Sequence, residues 1–131
     1  MPNCIILRGL PGSGKSSLAQ ELDLQIVSAD RYFWTKEGYK FDAALLSRAH
    51  QACFDEFVAY LCDGRSVLVD NTNITKKEYQ RYLDYARKHN HTIQIITVET
   101  DLTDEQLAAR NVHGVPAETI KRMRERFYRG T

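Results

Sequence analysis

Residues 9–17, Gly9-Leu10-Pro11-Gly12-Ser13-Gly14-Lys15-Ser16-Ser17, match the phosphate-binding pattern G-x-x-x-x-G-K-[ST] in full. A loop of this kind turns several backbone N–H groups toward one phosphate at the positive end of the helix that follows. Gly9, Gly12 and Gly14 permit a close backbone approach that a Cβ would block. Lys15 is expected on the β- and γ-phosphates of a nucleoside triphosphate, and the Ser16 hydroxyl on Mg²⁺, with Pro11, Ser13 and Ser17 completing the run that touches the nucleotide. The motif secures nucleotide binding and leaves the fate of the γ-phosphate open, because kinases, hydrolysing switches and motors share it.

Phosphoryl transfer also requires a base for the nucleophile, a metal ion held by acids, and cations for the transferring group. Each has a candidate. Asp30 ends an apolar run and is the expected general base; the plainer reading of the same residue is an N-cap for a short helix starting at Arg31. Asp70 ends another such run, as the acid of a metal-holding strand does, or serves as a turn former. Asn71 and Asn73 are not bases at neutral pH and are expected to position water, metal or acceptor. Arg110 is the candidate lid arginine, closing on the β- and γ-phosphates. His113 reads either as a phosphate or acceptor contact or as an incidental loop residue. Residues 31–41 interleave aromatics with cations; Arg31, Tyr32 and Trp34 fit a surface that stacks bases and steers phosphates, or a cap on the end of the sheet. Lys121, Arg122, Arg124, Arg126 and Arg129 make the last helix basic, a solvated face or a groove for a polyanion.

The elements that must hold these residues follow from periodicity. Cys4-Ile5-Ile6-Leu7 reads as a buried parallel strand, and residues 17–22 as a helix with Leu18 and Leu22 on one face. A second strand spans 24–28. Asp42 is a plausible N-cap for a long helix over 43–62, striped by Leu45, Ala49, Cys53, Phe57, Tyr60 and Leu61 and stopped by Gly64. The third strand is 66–70. Thr75-Lys76-Lys77-Glu78 is a capping box for a helix carrying Tyr79, Tyr82, Leu83 and Ala86, which Asn90 ends. Residues 92–98 form the fourth strand, Thr103 to Gln106 a second capping box, and 110–116 a break before a last helix opened by Pro116, with Ile120, Met123 and Phe127 inward. Strands alternating with helices predict an α/β fold of the P-loop NTPase kind, with roughly four parallel strands flanked by helices. Sheet order is not encoded in this pattern.

At 131 residues the chain is expected to form a single domain over 1–131. A formal charge of +1 gives no global attraction to nucleic acid, so a basic binding surface must be local. Cys4, Cys53 and Cys62 lie within strand and helix patterns and read as reduced, buried thiols. The absence of a zinc-site spacing, a signal segment or an apolar run of about 18 residues leads us to expect a cytoplasmic protein with no membrane partner.

Four stretches together carry a family resemblance: residues 8–17, Ser28-Ala29-Asp30-Arg31-Tyr32-Phe33, Val69-Asp70-Asn71-Thr72-Asn73, and Arg110-Asn111-Val112-His113-Gly114-Val115-Pro116. The chain resembles the phage-type polynucleotide 5′-hydroxyl kinases and, more closely, the related AAA-like, ATP-binding short P-loop kinase domain of a ubiquitin-ligase-binding protein family. The resemblance implies an adenylate-kinase-like sheet with a small lid, ATP on the loop, and an acceptor entering between the second strand and the lid. It places Lys15 and Ser16 on phosphate and Mg²⁺, Asp30 as the base, Arg110 in the lid, and the family's acid or amide at Asp70 or Asn71. Phage-type enzymes carry a strand-gripping arginine where this chain has Phe33, with Arg31 nearby. The expected function is ATP- and Mg²⁺-dependent phosphoryl transfer to the 5′-hydroxyl of a single-stranded RNA or DNA end. A kinase for a nucleoside, sugar or antibiotic, or a module that only binds ATP, would use the same residues.

Overall fold

The computed structural model describes residues 3–111 and 114–129; the side chains of Ser16 and Arg129 lie outside the description. The first apolar run is strand β1 (Asn3–Arg8), and the phosphate loop leads into helix α1 (Lys15–Glu21). Strand β2 (Gln25–Val27) is shorter than the run that announced it, because Ser28 turns the chain by accepting from the Asp30 N–H at 3.2 Å and capping a 3₁₀ turn over Ala29–Phe33. Residues 34–39 then fold back as an antiparallel ribbon of two short strands, β3 (Trp34–Thr35) and β4 (Gly38–Tyr39).

Asp42 does act as a cap, its Oδ1 accepting from the Ala44 N–H at 3.0 Å. It caps a 3₁₀ turn, Ala43–Leu45, and helix α2 (Leu46–Cys62) starts after it, later than the expected 43. Strand β5 (Val67–Asp70) follows, then helix α3 (Lys76–Lys88), at whose start the Glu78 carboxylate accepts from the Thr75 N–H at 3.0 Å. Asn90 takes φ 60° just past that helix and redirects the chain into β6 (Thr92–Thr97). The Thr103–Gln106 box is fully formed at the head of α4 (Asp104–Arg110), and α5 spans Ala117–Arg129.

Strands β2, β5, β1 and β6 lie in that order in one parallel sheet, with Cys4 opposite both Val67 and Ile93. Alternation along β1 divides the core: Cys4 and Ile6 face α2 and α3, where Ala49, Cys53, Phe57, Tyr82, Leu83 and Ala86 are buried. Leu7 and Leu68 face α1. A third cluster joins Leu10 of the phosphate loop to Ile74, Leu107, Ile120 and Phe127, so the loop is anchored in the packing of α4 and α5. Cys62 departs from expectation; the last turn of α2 leaves it exposed, while Cys4 and Cys53 are buried. The carboxyl ends of the strands converge on one edge, where ligands bind in parallel α/β sheets.

Candidate active site

The phosphate loop has the backbone that its glycines allow. Gly12 and Gly14 sit at φ 82° and 94°, the left-handed region that turns successive N–H groups to one side. Ser13 N–H closes the turn on the Leu10 carbonyl at 3.1 Å, and Gly9 N–H ties it to Thr72 O at 3.1 Å on the loop after β5. A Cβ at Gly14 would meet nothing within 4 Å, so the space beside it is open. The Ser13 hydroxyl is buried without a hydrogen-bond partner among the described residues, on the inner side of the turn next to Gly9 and outside the cavity lining. An anion of phosphate size fits the N–H donors of the loop.

At the helix end of the loop, Lys15 Nζ donates to Asp70 Oδ1 at 2.8 Å, with both side chains largely shielded from solvent. The expected phosphate cation and the expected metal acid thus meet across the β1–β5 boundary. A hard carboxylate beside a phosphate loop is donor chemistry that suits Mg²⁺.

The two asparagines after β5 have different posts. Asn71 lines the cavity and joins strand ends: its Oδ1 accepts from the Ala29 N–H at 2.9 Å, beside Asp30. Asn73 also lines the cavity. It is 1% exposed at φ 49°, and its amide donates to Leu7 O at 2.8 Å and Asn71 O at 3.2 Å, so it braces backbone. Arg8 was missed as a role. Its guanidinium is 3% exposed and donates to Asn73 O and Ile74 O, each at 2.8 Å, while lying over the rings of Phe127 at 4.7 Å and Tyr79 at 5.3 Å.

Asp30 stands in the 3₁₀ turn at the end of β2, serving both the capped turn and the cavity wall. Its Oδ1 accepts a hydrogen bond from the Tyr39 hydroxyl at 2.6 Å. Burial first, and then the hydrogen bond to Asp30 and its charge, push the Tyr39 phenol well above its ordinary range, so it stays a donor. Arg31 also lines the cavity and pairs loosely with Glu56 at 4.0 Å. Tyr32 and Trp34, the expected stacking rings, are exposed and stand outside the cavity lining; Phe33, Tyr39 and Phe41 supply its aromatic surface. Phe33 is buried, which no arginine could be without a partner. His50, on α2, completes that wall, and burial holds its imidazole below the usual range, with Glu78 opposing and Arg81 adding to the shift.

Arg110 is the last residue of α4 and lines the cavity. The turn beyond it is stapled by Asn111, whose side chain accepts from Val115 N–H at 2.9 Å and reaches the carbonyls of Leu107, Ala108 and Val115 at 3.1, 3.0 and 3.1 Å. His113 lies outside the described residues. The cavity measures about 990 Å³ and takes in the phosphate loop, Asp30, Asp70, Asn71 and Arg110. Among the described residues no cluster of His, Cys, Asp and Glu forms a separate metal site, and no helix is long and apolar enough to cross a membrane.

A family model described as an AAA domain matches residues 4–129. The chain is 34% identical over 139 residues to NEDD4-binding protein 2 of Homo sapiens, covering 95% of this chain and 8% of that protein. It is 29% identical over 107 residues to the bifunctional polynucleotide phosphatase/kinase of Schizosaccharomyces pombe, covering 82% of this chain and 23% of that one. The chain therefore spans less than a third of either relative. Among solved structures, a chain of the Pnkp1/Rnl/Hen1 RNA repair complex superposes with a TM-score of 0.76 at 22% identity, covering 98% of this chain and 45% of that one. A sugar kinase from Janibacter sp. HTCC2649 gives 0.64 at 15% identity over 97% of this chain and 78% of its own. At such identities the likeness is one of fold.

Proposed function

Since the chain belongs to the AAA domain family and is a short P-loop kinase domain, we propose that it transfers the γ-phosphoryl group of ATP to the 5′-hydroxyl of a single-stranded polynucleotide, with Mg²⁺. The observation that carries the reading is the joining, in one cavity, of a phosphate cradle, the metal-type acid Asp70 at the end of β5 and a second carboxylate, Asp30, beyond the end of β2. A site that only binds nucleotide needs the first two and has no use for the third.

In this reading the acceptor hydroxyl gives its proton to the Asp30 carboxylate as its oxygen bonds to the γ-phosphorus. The β–γ bridging P–O bond breaks, and its electron pair leaves with the nucleoside diphosphate. Lys15 exchanges Asp70 for the phosphate oxygens, and Arg110 adds a second cation from the end of α4. Asp70, with Ser16 of the phosphate loop, would hold Mg²⁺, which would supply positive charge to the triphosphate. Arg31, with the Phe33, Tyr39 and Phe41 rings, suits an acceptor that combines phosphate with flat bases, and Asn71 stands beside Asp30 to orient it. The name of the Schizosaccharomyces pombe relative, a polynucleotide kinase, favours the same acceptor class.

Labelled ATP, Mg²⁺ and a panel of 5′-hydroxyl oligonucleotides, nucleosides and sugars test the assignment. Oligonucleotides are expected to take the label, Lys15→Ala to abolish transfer, and Asp30→Asn to lower kcat by roughly 100-fold or more with ATP affinity kept. Labelling of a sugar or nucleoside but no oligonucleotide would sink the acceptor; undiminished turnover in Asp30→Asn would remove the base.

A further inference from the structure

We propose that Tyr39 is a positioning residue for Asp30, delivered to it by the β3–β4 ribbon, so that base competence depends on this small element. The inference rests on the reading of Asp30 as the base. Tyr39 is nine positions along the chain, yet its hydroxyl lies 2.6 Å from Asp30 Oδ1, a short bond of the charge-assisted kind. The backbone of Asp30 is already fixed, because its N–H donates to Ser28 Oγ at 3.2 Å within the capped turn. That cap sets the backbone and not the carboxylate's rotation, on which the phenol acts directly.

The ribbon is built to hold the phenol still. Gly38 turns at φ 111°, Thr35 Oγ1 donates to the Gly38 carbonyl at 2.8 Å, and the Lys40 N–H returns to Phe33 O at 2.8 Å. The Tyr39 ring is gripped on two sides, by Trp34 at 5.3 Å and by buried Phe33 at 6.3 Å. Two-residue strands contribute little stability of their own. Their effect here is to bring one hydroxyl group to one carboxylate inside the cavity wall.

The side chain acts through Asp30, which sets a signature that a merely structural tyrosine lacks. Tyr39→Phe keeps the ring and its packing. It is expected to lower kcat about 10- to 100-fold, the scale of a misplaced catalytic group, with the KM for ATP and for the acceptor changed less than about twofold. The double variant Asp30→Asn with Tyr39→Phe is expected to be no slower than Asp30→Asn alone, because the phenol has no separate route to the reaction. Replacing Tyr39 with 4-aminophenylalanine, an N–H donor on the same ring, is expected to recover most of the loss.

Steady-state kinetics on the wild type and the four variants, using whichever acceptor the wild-type chain labels, decide the matter, with thermal unfolding recorded for each. Unchanged kcat in Tyr39→Phe overturns the proposal, as do multiplicative losses in the double variant or a loss of cooperative unfolding that the amino variant does not repair. Should Asp30→Asn itself retain turnover, the base assignment falls first, a result distinct from an intact base with an indifferent tyrosine. A wild-type chain that labels no acceptor overturns both.

Discussion

At Gly12 the backbone sits at φ 82°, and a Cβ there would lie 2.5 Å from the Leu107 carbonyl oxygen. Gly12→Ala therefore combines a left-handed alanine with a clash against the backbone of α4, and neither can be relieved by rotating a side chain. A loss of at least about 2 kcal/mol is expected, with weakened ATP binding, read by denaturant unfolding and nucleotide titration. Gly14→Ala, where the space is open, isolates the φ term alone. Lys15 and Asp30 were legible in the sequence because a motif and a strand end fix where such residues stand. Tyr39 was not legible. Its reach to Asp30 depends on a ribbon whose strands are too short to show a period, and in the sequence it was one aromatic among five. The bracing bonds of Asn73 were hidden for a related reason: an amide in a polar loop looks the same whether or not it also holds two carbonyls.

Arg8 shows how elements are tied together where no periodicity reveals it. The last residue of β1 holds two carbonyls of the β5–α3 loop and lies against Phe127 of α5, so the strand that launches the phosphate loop is fastened to the C-terminal helix. Arg8→Ala leaves both buried carbonyls without their donor and opens space beneath Phe127; a loss of about 3 kcal/mol or more is expected in urea unfolding. Arg8→Lys keeps the charge but loses the planar fork that serves both carbonyls, and should fall between. At this scale the apolar runs and capping boxes located strands and helices well, since burial and caps are local properties. The order β2, β5, β1, β6 was beyond them, because periodicity reports that a strand is buried and not which strand lies beside it. The 3₁₀ turn before α2 escaped, and the short helix read from Arg31 with Asp30 as its cap is instead a 3₁₀ turn from Ala29 capped by Ser28, for the same reason that caps succeed: Asp42 and Ser28 satisfy the first N–H groups of either kind of helix.

Across the whole molecule, the thiols report which packing is complete. Burial pushes the Cys4 thiol up to about 11 and raises that of Cys53, while Cys62 lies exposed at the end of α2. Iodoacetamide at neutral pH is expected to modify Cys62 in the folded protein and all three cysteines in guanidinium, as peptide mass mapping would show; rapid native labelling of Cys4 would contradict the packing of β1 against α2 and α3. That central strand has a further consequence, for the order in which the molecule comes into being. β1 is made first, yet its neighbours are β5 and β6, with Cys4 awaiting Val67 on one side and Ile93 on the other. Such distant pairings carry the loop-closure cost of slow-folding topologies. During synthesis the phosphate loop therefore hangs from a strand with no neighbour until β5 has left the ribosome, and with only one until β6 follows, so the sheet that carries the nucleotide site closes late in the emergence of the chain.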